Sequence, residues 1–584
     1  MSALLSTLAA IRQLAVPYFR SDDRLMGRTL LGAVIAMMLG DVVIDVLLNQ
    51  WNARFYNALQ DRNWNAFTRE LMIFSALAGT SIVLQVYQLY FTQWLQIRWR
   101  RFMTERYLGG WLDAANHYRM QLLGDAADNP DQRIADDVRM FVESGLPLAI
   151  RLLRSAVAFL SFVAILWVLS DEVPLTIFGV VWPIPGYLVW AALIYAAIAT
   201  VVTHLIGRAL VGLNFNRQRL EADFRFNLVR VRENAEQIAL LRGEAAERER
   251  LLDRFGAIIG NWLLIMSRTK RVAFFTVGAA QAAVIFPYVV VAPAYFAGHG
   301  QLGILTQTAN AFENVRSALS FFMEFYRDLA EWRAVIARLS GFEAAIAAGR
   351  AAATTAPVVA VVAGEEASPL RAHALDVRLP NGAPLVHAED FAVSCDDRVL
   401  VTGPTGSGKS TLFRAVDGIW PFGSGTVTIP RHAEVMVLPQ RPYFPTGSLA
   451  DAIAYPSQPG RFDAAALRDV LTAVGLPAFA ERLDERAHWN RMLSLGEQQR
   501  LAVARAILHA PDYLFLDEAT ASLDEPSEAA LYRLMQARLP HTAMVSIGHR
   551  STLFAFHRRH LALERAGDRY QLQESGIRRV MPDP

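Results

Sequence analysis

Gly403-Pro404-Thr405-Gly406-Ser407-Gly408-Lys409-Ser410-Thr411 follows the apolar run Val399 to Val401 and meets every position of a phosphate-binding loop. The pattern predicts a strand, a glycine-rich loop and a helix start that together hold ATP or GTP. Glycines let backbone N–H groups close around phosphates, Lys409 reaches the β and γ oxygens, and the Ser410 hydroxyl ligates Mg²⁺. The positive end of the helix adds to the attraction.

Downstream, the apolar run Tyr513-Leu514-Phe515-Leu516 ends in Asp517-Glu518 and reads as a buried strand that delivers two carboxylates to a sheet edge. Taken alone the run also fits solvated strand-end charges. Its place downstream of Lys409 supports separate roles: Asp517 on Mg²⁺ through its water shell, and Glu518 orienting the attacking water. Short strands such as Val399 to Thr402, Val435 to Leu438 and Tyr513 to Leu516, with Gly/Pro turns and amphipathic helices, predict an α/β nucleotide-binding domain over 369–584.

The rest of the chain is of another kind. Over the 584 residues, 53% are apolar and only 19% charged, which is too oily for a soluble protein of this length. The net charge of +2 gives no reason to expect a nucleic-acid partner, and the lone Cys395 excludes an intramolecular disulfide. Six spans are predicted: Leu25 to Leu48, Leu71 to Leu95, Leu146 to Ser170, Gly186 to Ile206, Val272 to Ala297 and Leu302 to Tyr326. Arg98, Arg100, Arg101, Arg106, Arg119, Arg133 and Arg139 separate spans two and three, while 171–185 and 298–301 hold no Lys or Arg. The positive-inside rule then puts both termini in the cytoplasm, with 1–24 a cytoplasmic segment and no cleaved leader. Arg54, Arg62 and Arg69 in the first outer loop weaken that signal without reversing it.

Polar residues recur at helical spacing inside three spans: Asp41, Asp45 and Asn49; Ser81, Gln85, Gln88 and Thr92; Thr306, Asn310, Glu313 and Ser317. Such stripes face a bundle interior or a water-filled cavity, because ionisable groups against lipid cost several kcal/mol. Asp41, Asp45, Gln85, Asn310 and Glu313 are the cavity candidates. Interhelical hydrogen bonding is the competing reading, and Arg316 offers Glu313 an ion pair. The charge-rich excursions 97–145 and 207–271 keep helical periodicity, as membrane helices running on into the cytosol would. Residues 25–340 therefore form a helical membrane domain. The small-residue stretch that continues to Pro357 and beyond makes 341–368 a linker.

With these motifs in hand, nearly the whole chain resembles the ABC transporter family. Gln440 in Leu438-Pro439-Gln440-Arg441-Pro442 resembles the glutamine that contacts Mg²⁺ and the membrane domain. Leu493-Ser494-Leu495-Gly496-Glu497-Gln498-Gln499-Arg500 resembles the family signature, which clamps the γ-phosphate of ATP on the opposite subunit. Ser522-Leu523-Asp524 resembles the D-loop, and His549 in Ile547-Gly548-His549-Arg550 the switch histidine. The resemblance implies an ATP hydrolase with Glu518, His549 and Gln440 as catalytic residues. It puts nucleotide on Gly403 to Thr411 with the partner's Ser494, Gly496 and Glu497, and Mg²⁺ on Ser410, Gln440 and Asp517. Two departures stand out. Leu495 and Glu497 replace the usual glycine and glutamine, which predicts slower turnover. Leu379 stands where an adenine-stacking aromatic is usual, so adenine preference is inherited from the family rather than read here.

Three further segments narrow the branch: Gln50-Trp51-Asn52-Ala53-Arg54-Phe55-Tyr56-Asn57-Ala58-Leu59-Gln60, Asn129-Pro130-Asp131-Gln132-Arg133-Ile134 and Leu241-Arg242-Gly243-Glu244-Ala245-Ala246-Glu247. They resemble the SbmA/BacA-like and peroxisomal acyl-CoA branch of half-transporters, in which the latter two lie in cytoplasmic loops and couple the domains. The implied protein has an exporter-like six-span fold and works as a homodimer in the bacterial inner membrane, contacting membrane lipid and a transported solute, with no separate binding protein evident. Uptake of hydrophilic solutes such as peptides or cobalamin is the expectation. Export, acyl-CoA or lipid transport, and a membrane-anchored regulatory ATPase are the alternatives.

Overall fold

The computed structural model describes residues 2–124, 129–177, 180–182, 184–298, 300–366 and 368–575, with the backbone alone at 2–6, 176–177, 180–181, 322–324 and 326–327. The chain divides into two compact units, residues 1–107 with 131–340, and residues 108–130 with 341–584.

The first unit is helical. After α1 (Ser2–Ala15) come α2 (Arg24–Gln60), α3 (Trp64–Leu112), then, beyond the short α4 (Asn116–Leu122) of the second unit, α5 (Val138–Glu172), α6 (Tyr187–Gly207), α7 (Ala209–Glu233), α8 (Glu244–Phe296) and α9 (Leu302–Ala352). Apolar segments of this length form helices in hydrocarbon because each backbone group must find its partner within the segment. Among the described residues, five helices are long and apolar enough to cross a membrane, those carrying the first five expected spans. The sixth expected span opens α9, whose Thr306, Asn310, Glu313 and Arg316 make it more polar than a span read by composition alone. The 49 residues of α3 and 53 of α8 exceed the ~20 that a bilayer needs. Their surplus carries the expected excursions.

The core of this unit joins Phe162, Leu166 and Leu169 of α5, Leu188 and Ala192 of α6, Val291 of α8, and Ala311, Phe312 and Val315 of α9. At the far end of α2, side chains cap the first turn of α9. Asn57 Oδ1 accepts from the Gly303 N–H at 2.8 Å and Gln60 Oε1 from the Leu302 N–H at 2.7 Å, satisfying donors that a helix start leaves orphaned. The approach is close enough to require glycine: a Cβ on Gly303 would lie 2.2 Å from the Ala53 carbonyl oxygen.

The second unit is built on a ten-stranded sheet. In chain order its strands are β1 (Ala360–Gly364), β2 (Leu370–Arg378), β3 (Pro384–Val393), β4 (Arg398–Thr402), β5 (Gly423–Pro430), β6 (Val435–Leu438), β7 (Tyr513–Asp517), β8 (Ala543–Ile547), β9 (Arg559–Ala566) and β10 (Arg569–Ser575). The spatial order is β1-β5-β2-β3-β10-β9-β4-β8-β7-β6. From β9 to β6 the pairing is parallel, with α10 (Lys409–Val416), α11 (Leu495–His509) and α12 (Glu525–Arg538) among the helices of this unit. Parallel strands covered on both faces read as continuous apolar runs, as β4, β7 and β8 do.

The expected linker is folded over much of its length. Alanine is the best helix former, and α9 runs on through Ala352, while Ala360–Gly364 pairs in register with β5 as an edge strand. Residues 108–130 also belong to this unit. Asn116 Nδ2 donates to the Ile346 carbonyl at 3.2 Å, Arg119 Nε donates to that of Gly349 at 3.1 Å, and Tyr118 and Leu122 pack on the sheet's apolar core.

Candidate functional site

The parallel order brings four strand ends to one edge of the sheet. β4 feeds the glycine loop into α10, β6 ends before Gln440, β7 ends at Asp517, and β8 ends before His549. Around them lies a cavity of about 760 Å³, lined by Thr405 to Thr411, Gln440, Asp517, Glu518 and His549, with Leu379, Leu385, Arg414 and Arg441. Gly403, Gly406 and Gly408 have φ of +155°, +79° and +88°, conformations that L side chains rarely adopt, and a Cβ on Gly408 would come 2.6 Å from Val386. The loop therefore needs glycine for its backbone conformation at all three positions and for lack of space at Gly403 and Gly408, which leaves its backbone open to a polyanion.

The charged groups stand ready around this space. Lys409 Nζ donates to the Gly403 and Pro404 carbonyls at 2.9 Å each, and burial holds its pKa below the ordinary lysine value against the pull of Glu518 and Asp517. Ser410 Oγ donates to Asp517 Oδ1 at 2.8 Å; burial raises the pKa of that carboxyl while the hydrogen bond opposes the rise. Glu518 accepts from Gln440 Nε2 at 3.1 Å and lies 3.2 Å from His549 Nε2. Its backbone is left-handed, φ +52°, a strained conformation for a non-glycine residue that turns the chain directly after β7. Ser410, Asp517 and Gln440 present a hydroxyl, a carboxylate and an amide oxygen to the same cavity. This all-oxygen donor set with one carboxylate fits Mg²⁺, which binds through one or two carboxylates, further oxygens and the phosphates.

Ser494, Gly496 and Glu497 are not among the residues lining this cavity. Ser494 caps α11 in a capping box with Glu497, whose Oε2 accepts from the Ser494 N–H and hydroxyl at 2.8 Å each. Two residues without an assigned role tie the edge together. Gln499, fully buried, donates to the Gln440 carbonyl at 3.2 Å and accepts from the Ser522 N–H at 3.0 Å. Arg550 donates to the Leu523 carbonyl at 2.7 Å, the Ala521 carbonyl at 3.2 Å and Glu528 Oε2 at 3.3 Å, so the segment after His549 is pinned to the turn at Ala521 to Leu523. Both stand inside stretches quoted for the family resemblance, Gln499 in Leu493 to Arg500 and Arg550 in Ile547 to Arg550, but nothing in the sequence named their partners.

In the membrane unit the polar stripes find one another. Asp41 is 2% exposed, so it does not line open space. It accepts from Ser81 Oγ at 2.8 Å, Gln85 Nε2 at 3.1 Å and Arg154 Nη2 at 2.8 Å, which joins α2, α3 and α5. Asn49 Nδ2 donates to Asn310 Oδ1 and to the Gln307 carbonyl at 3.0 Å each, joining α2 and α9. Glu313 is paired with Arg316 on its own helix at 2.5 Å. Asp45 faces a cavity of about 440 Å³ with Arg151, Arg154, Ser155, Ala158, Asn314, Ser317, Ala318, Ser320 and Phe321. Its link to Arg154 Nη2 is 3.2 Å long. The apolar count within α5 hid both arginines from span-level reading.

Comparison with known proteins follows this division. Residues 14–296 match the family described as ABC transporter transmembrane region 2, and residues 386–521 the family described as ABC transporter. The Inner membrane ABC transporter ATP-binding protein YddA of Escherichia coli is 32% identical over 91% of this chain and 93% of its own. ABC transporter D family member 2, chloroplastic, of Arabidopsis thaliana is 32% identical over 95% of this chain and 86% of its own. The structure of a bacterial Atm1-family ABC exporter with ATP bound shares the fold, with a TM-score of 0.68, 17% identity, and coverage of 94% and 96%. A membrane region and an ATP-hydrolysing domain in one chain, with relatives of this similarity along nearly its whole length, make the protein a member of the ABC transporter family, in the branch of the D-family half-transporters, that couples ATP hydrolysis to transport.

Proposed function

We propose that two copies of this chain form an ATP-driven importer of hydrophilic solutes, peptides or cobalamin-like compounds among them, in the bacterial inner membrane. The observation that carries the solute class is the polar cavity of Asp45, Arg151, Arg154, Asn314 and Ser317 within the membrane unit. Two guanidinium groups at membrane depth are costly unless a cargo meets them with polar or anionic groups, which supports a cargo bearing such groups over a purely apolar one. The signature residues lie outside the nucleotide cavity of their own chain, which supports a dimer in which Ser494, Gly496 and Glu497 of one copy close the site of the other.

ATP lies with its phosphates along Gly403 to Thr411, held by loop N–H groups and by Lys409, which exchanges its two carbonyl partners for phosphate oxygens. Mg²⁺, held by Ser410, Asp517 and Gln440, would neutralise charge on the β- and γ-phosphates. Glu518 accepts a hydrogen bond from the water that attacks the γ-phosphorus. The bond from that phosphorus to the β–γ bridging oxygen breaks, leaving ADP and phosphate. His549 and Gln440, both within reach of Glu518, fix its carboxylate and contact the γ-phosphate region. Motion between sandwiched and separated ATPase domains passes through the cytoplasmic segments around Asn129 to Ile134 and Gly243 to Glu247 to the spans. Both termini and the ATPase domain face the cytoplasm in this reading.

Accumulation of labelled cobalamin and of a labelled proline-rich peptide in right-side-out vesicles, native against Glu518→Gln, tests the reading. ATP-dependent accumulation by the native protein alone is the expected result. Intact hydrolysis without accumulation of either would turn the reading to export and to acyl or lipid cargo.

A further inference from the structure

The cavity of the membrane unit presents its positive charge unevenly. Arg151 and Arg154 are three residues apart on α5 and so share a face, and both line the cavity with roughly half of each side chain exposed. Arg154 engages its carboxylates through Nη2, and among the described residues the N–H groups of Nε and Nη1 have no hydrogen-bond acceptor. Arg151 spends Nη2 on Asp328 at 3.3 Å and lies 6.0 Å from the ring centroid of Phe321. Guanidinium forks with unused donors inside a membrane bundle are costly to keep and suit planar, bidentate recognition of an oxyanion.

The two aspartates on Arg154 are not equivalent. Asp41 is buried, bonded at 2.8 Å and held by Ser81 and Gln85 as well, so it is a permanent counter-ion. Asp45 is 32% exposed, reaches Arg154 at 3.2 Å and has no second donor among the described residues. It is the partner that a ligand can displace. Ser155, Asn314, Ser317 and Ser320 supply further polar groups on the same wall.

We propose that this cavity binds an anionic group of the transported solute, a carboxylate or a phosphate, between Arg151 and Arg154, with Asp45 as the internal anion that the solute displaces. The assignment rests on the transport reading for its purpose but not for its test. The solute oxyanion takes the Arg154 donors and turns Asp45 away, so release of the solute is driven by return of Asp45 to the guanidinium. Asp45 thus tunes affinity downward, keeping the site loadable and unloadable within one cycle.

The test is binding of 5-carboxyfluorescein to the full chain in nanodiscs, read by fluorescence anisotropy, with the cationic dye rhodamine 6G as the charge control. Native protein is expected to bind the anionic dye in preference to the cationic one. Arg151→Gln should weaken that binding roughly tenfold, the scale of one charge-assisted hydrogen bond, and Asp45→Asn should strengthen it several-fold. Arg154→Lys, which keeps a charge for Asp41, should also weaken it, and protects the test if bulkier losses unfold the bundle. Competition by phosphoserine alone assigns a phosphate, and competition by N-acetylglutamate alone a carboxylate. Preference for rhodamine 6G, weaker anion binding by Asp45→Asn, or competition by neither anion would each overturn the proposal. Cobalamin or peptide accumulation is measured on the same protein. Accumulation without anion binding sinks this assignment alone, whereas anion binding without accumulation or efflux sinks the transport reading.

Discussion

The nucleotide edge of the sheet and the polar interior of the membrane bundle both gather charged groups, and they satisfy them in opposite ways. At the sheet edge Lys409, Asp517, Glu518 and His549 border an open cavity of about 760 Å³ and hold provisional partners, such as the loop carbonyls on Lys409. In the bundle Asp41 is enclosed by Ser81, Gln85 and Arg154, three donors from two other helices. The difference follows from solvent. A site that opens to water can leave its charges half satisfied until a ligand arrives, whereas a carboxylate at membrane depth has no water to fall back on. Removing a charge from the first should therefore stop chemistry and spare the fold, and removing one from the second should damage the fold.

Glu518→Gln is expected to have the largest effect, lowering phosphate release at least about 100-fold, the usual weight of a positioned base. ATP binding should persist, with the melting temperature within about 2 °C of native; normal hydrolysis by this variant would remove Glu518 from its role. Arg154→Ala should cost about 3 kcal/mol of stability, the low end for leaving a buried carboxylate without its counter-ion, because Arg154 is itself half exposed and Ser81 and Gln85 remain on Asp41. Thermal unfolding in nanodiscs measures it, and an unchanged melting temperature would erase the contrast between the two regions. His557 extends the bundle's logic to the ATPase unit. It is buried between Ser546 and the Leu553 carbonyl, and burial lowers its pKa from 6.5 to about 4. The unfolded chain therefore binds a proton that the folded chain refuses, and stability is lost as pH falls from 6.5 to 4. Denaturant titrations at pH 7 and pH 4 should show the native protein losing about 3 kcal/mol more than His557→Gln. The smallest effect is expected from Glu497→Gln, which keeps a capping-box acceptor. It should cost about 0.5 kcal/mol through the helix dipole and raise turnover a few-fold by removing a carboxylate from beside the partner's γ-phosphate. Slower turnover would mean that Glu497 assists rather than repels.

The same contrast explains what could be read without coordinates. The glycine loop, Asp517 and Glu518 were legible because each sits within a residue or two of a strand end, so local pattern and chemistry coincide, whereas His549 was picked out only by resemblance to the family. Polar stripes on three spans were legible as stripes, but their partners were not. Asp41 meets an arginine 113 positions away, and Asn49 an asparagine 261 positions away. Nothing local in α5 marks Arg154 as that partner. The folded stretch around Ala352 and Ala360–Gly364 was read as a linker because small residues look alike in a coil, a helix or an edge strand, and the contacts that choose among them lie with α4 and β5.

From the sequence alone came the two-part architecture, the apolar helices and the phosphate-binding loop, because these depend on composition and on neighbours a few residues apart. Tertiary structure alone decided which charges are enclosed and which stay partly exposed: Asp41 enclosed, Asp45 partly exposed beside Arg154, Gln499 joining Gln440 to Ser522, and Arg550 joining Ala521 and Leu523 to the segment after β8. The physical reason is that a charge's state depends on donors and solvent within a few ångströms in space, and those neighbours are set by packing between elements distant in the chain.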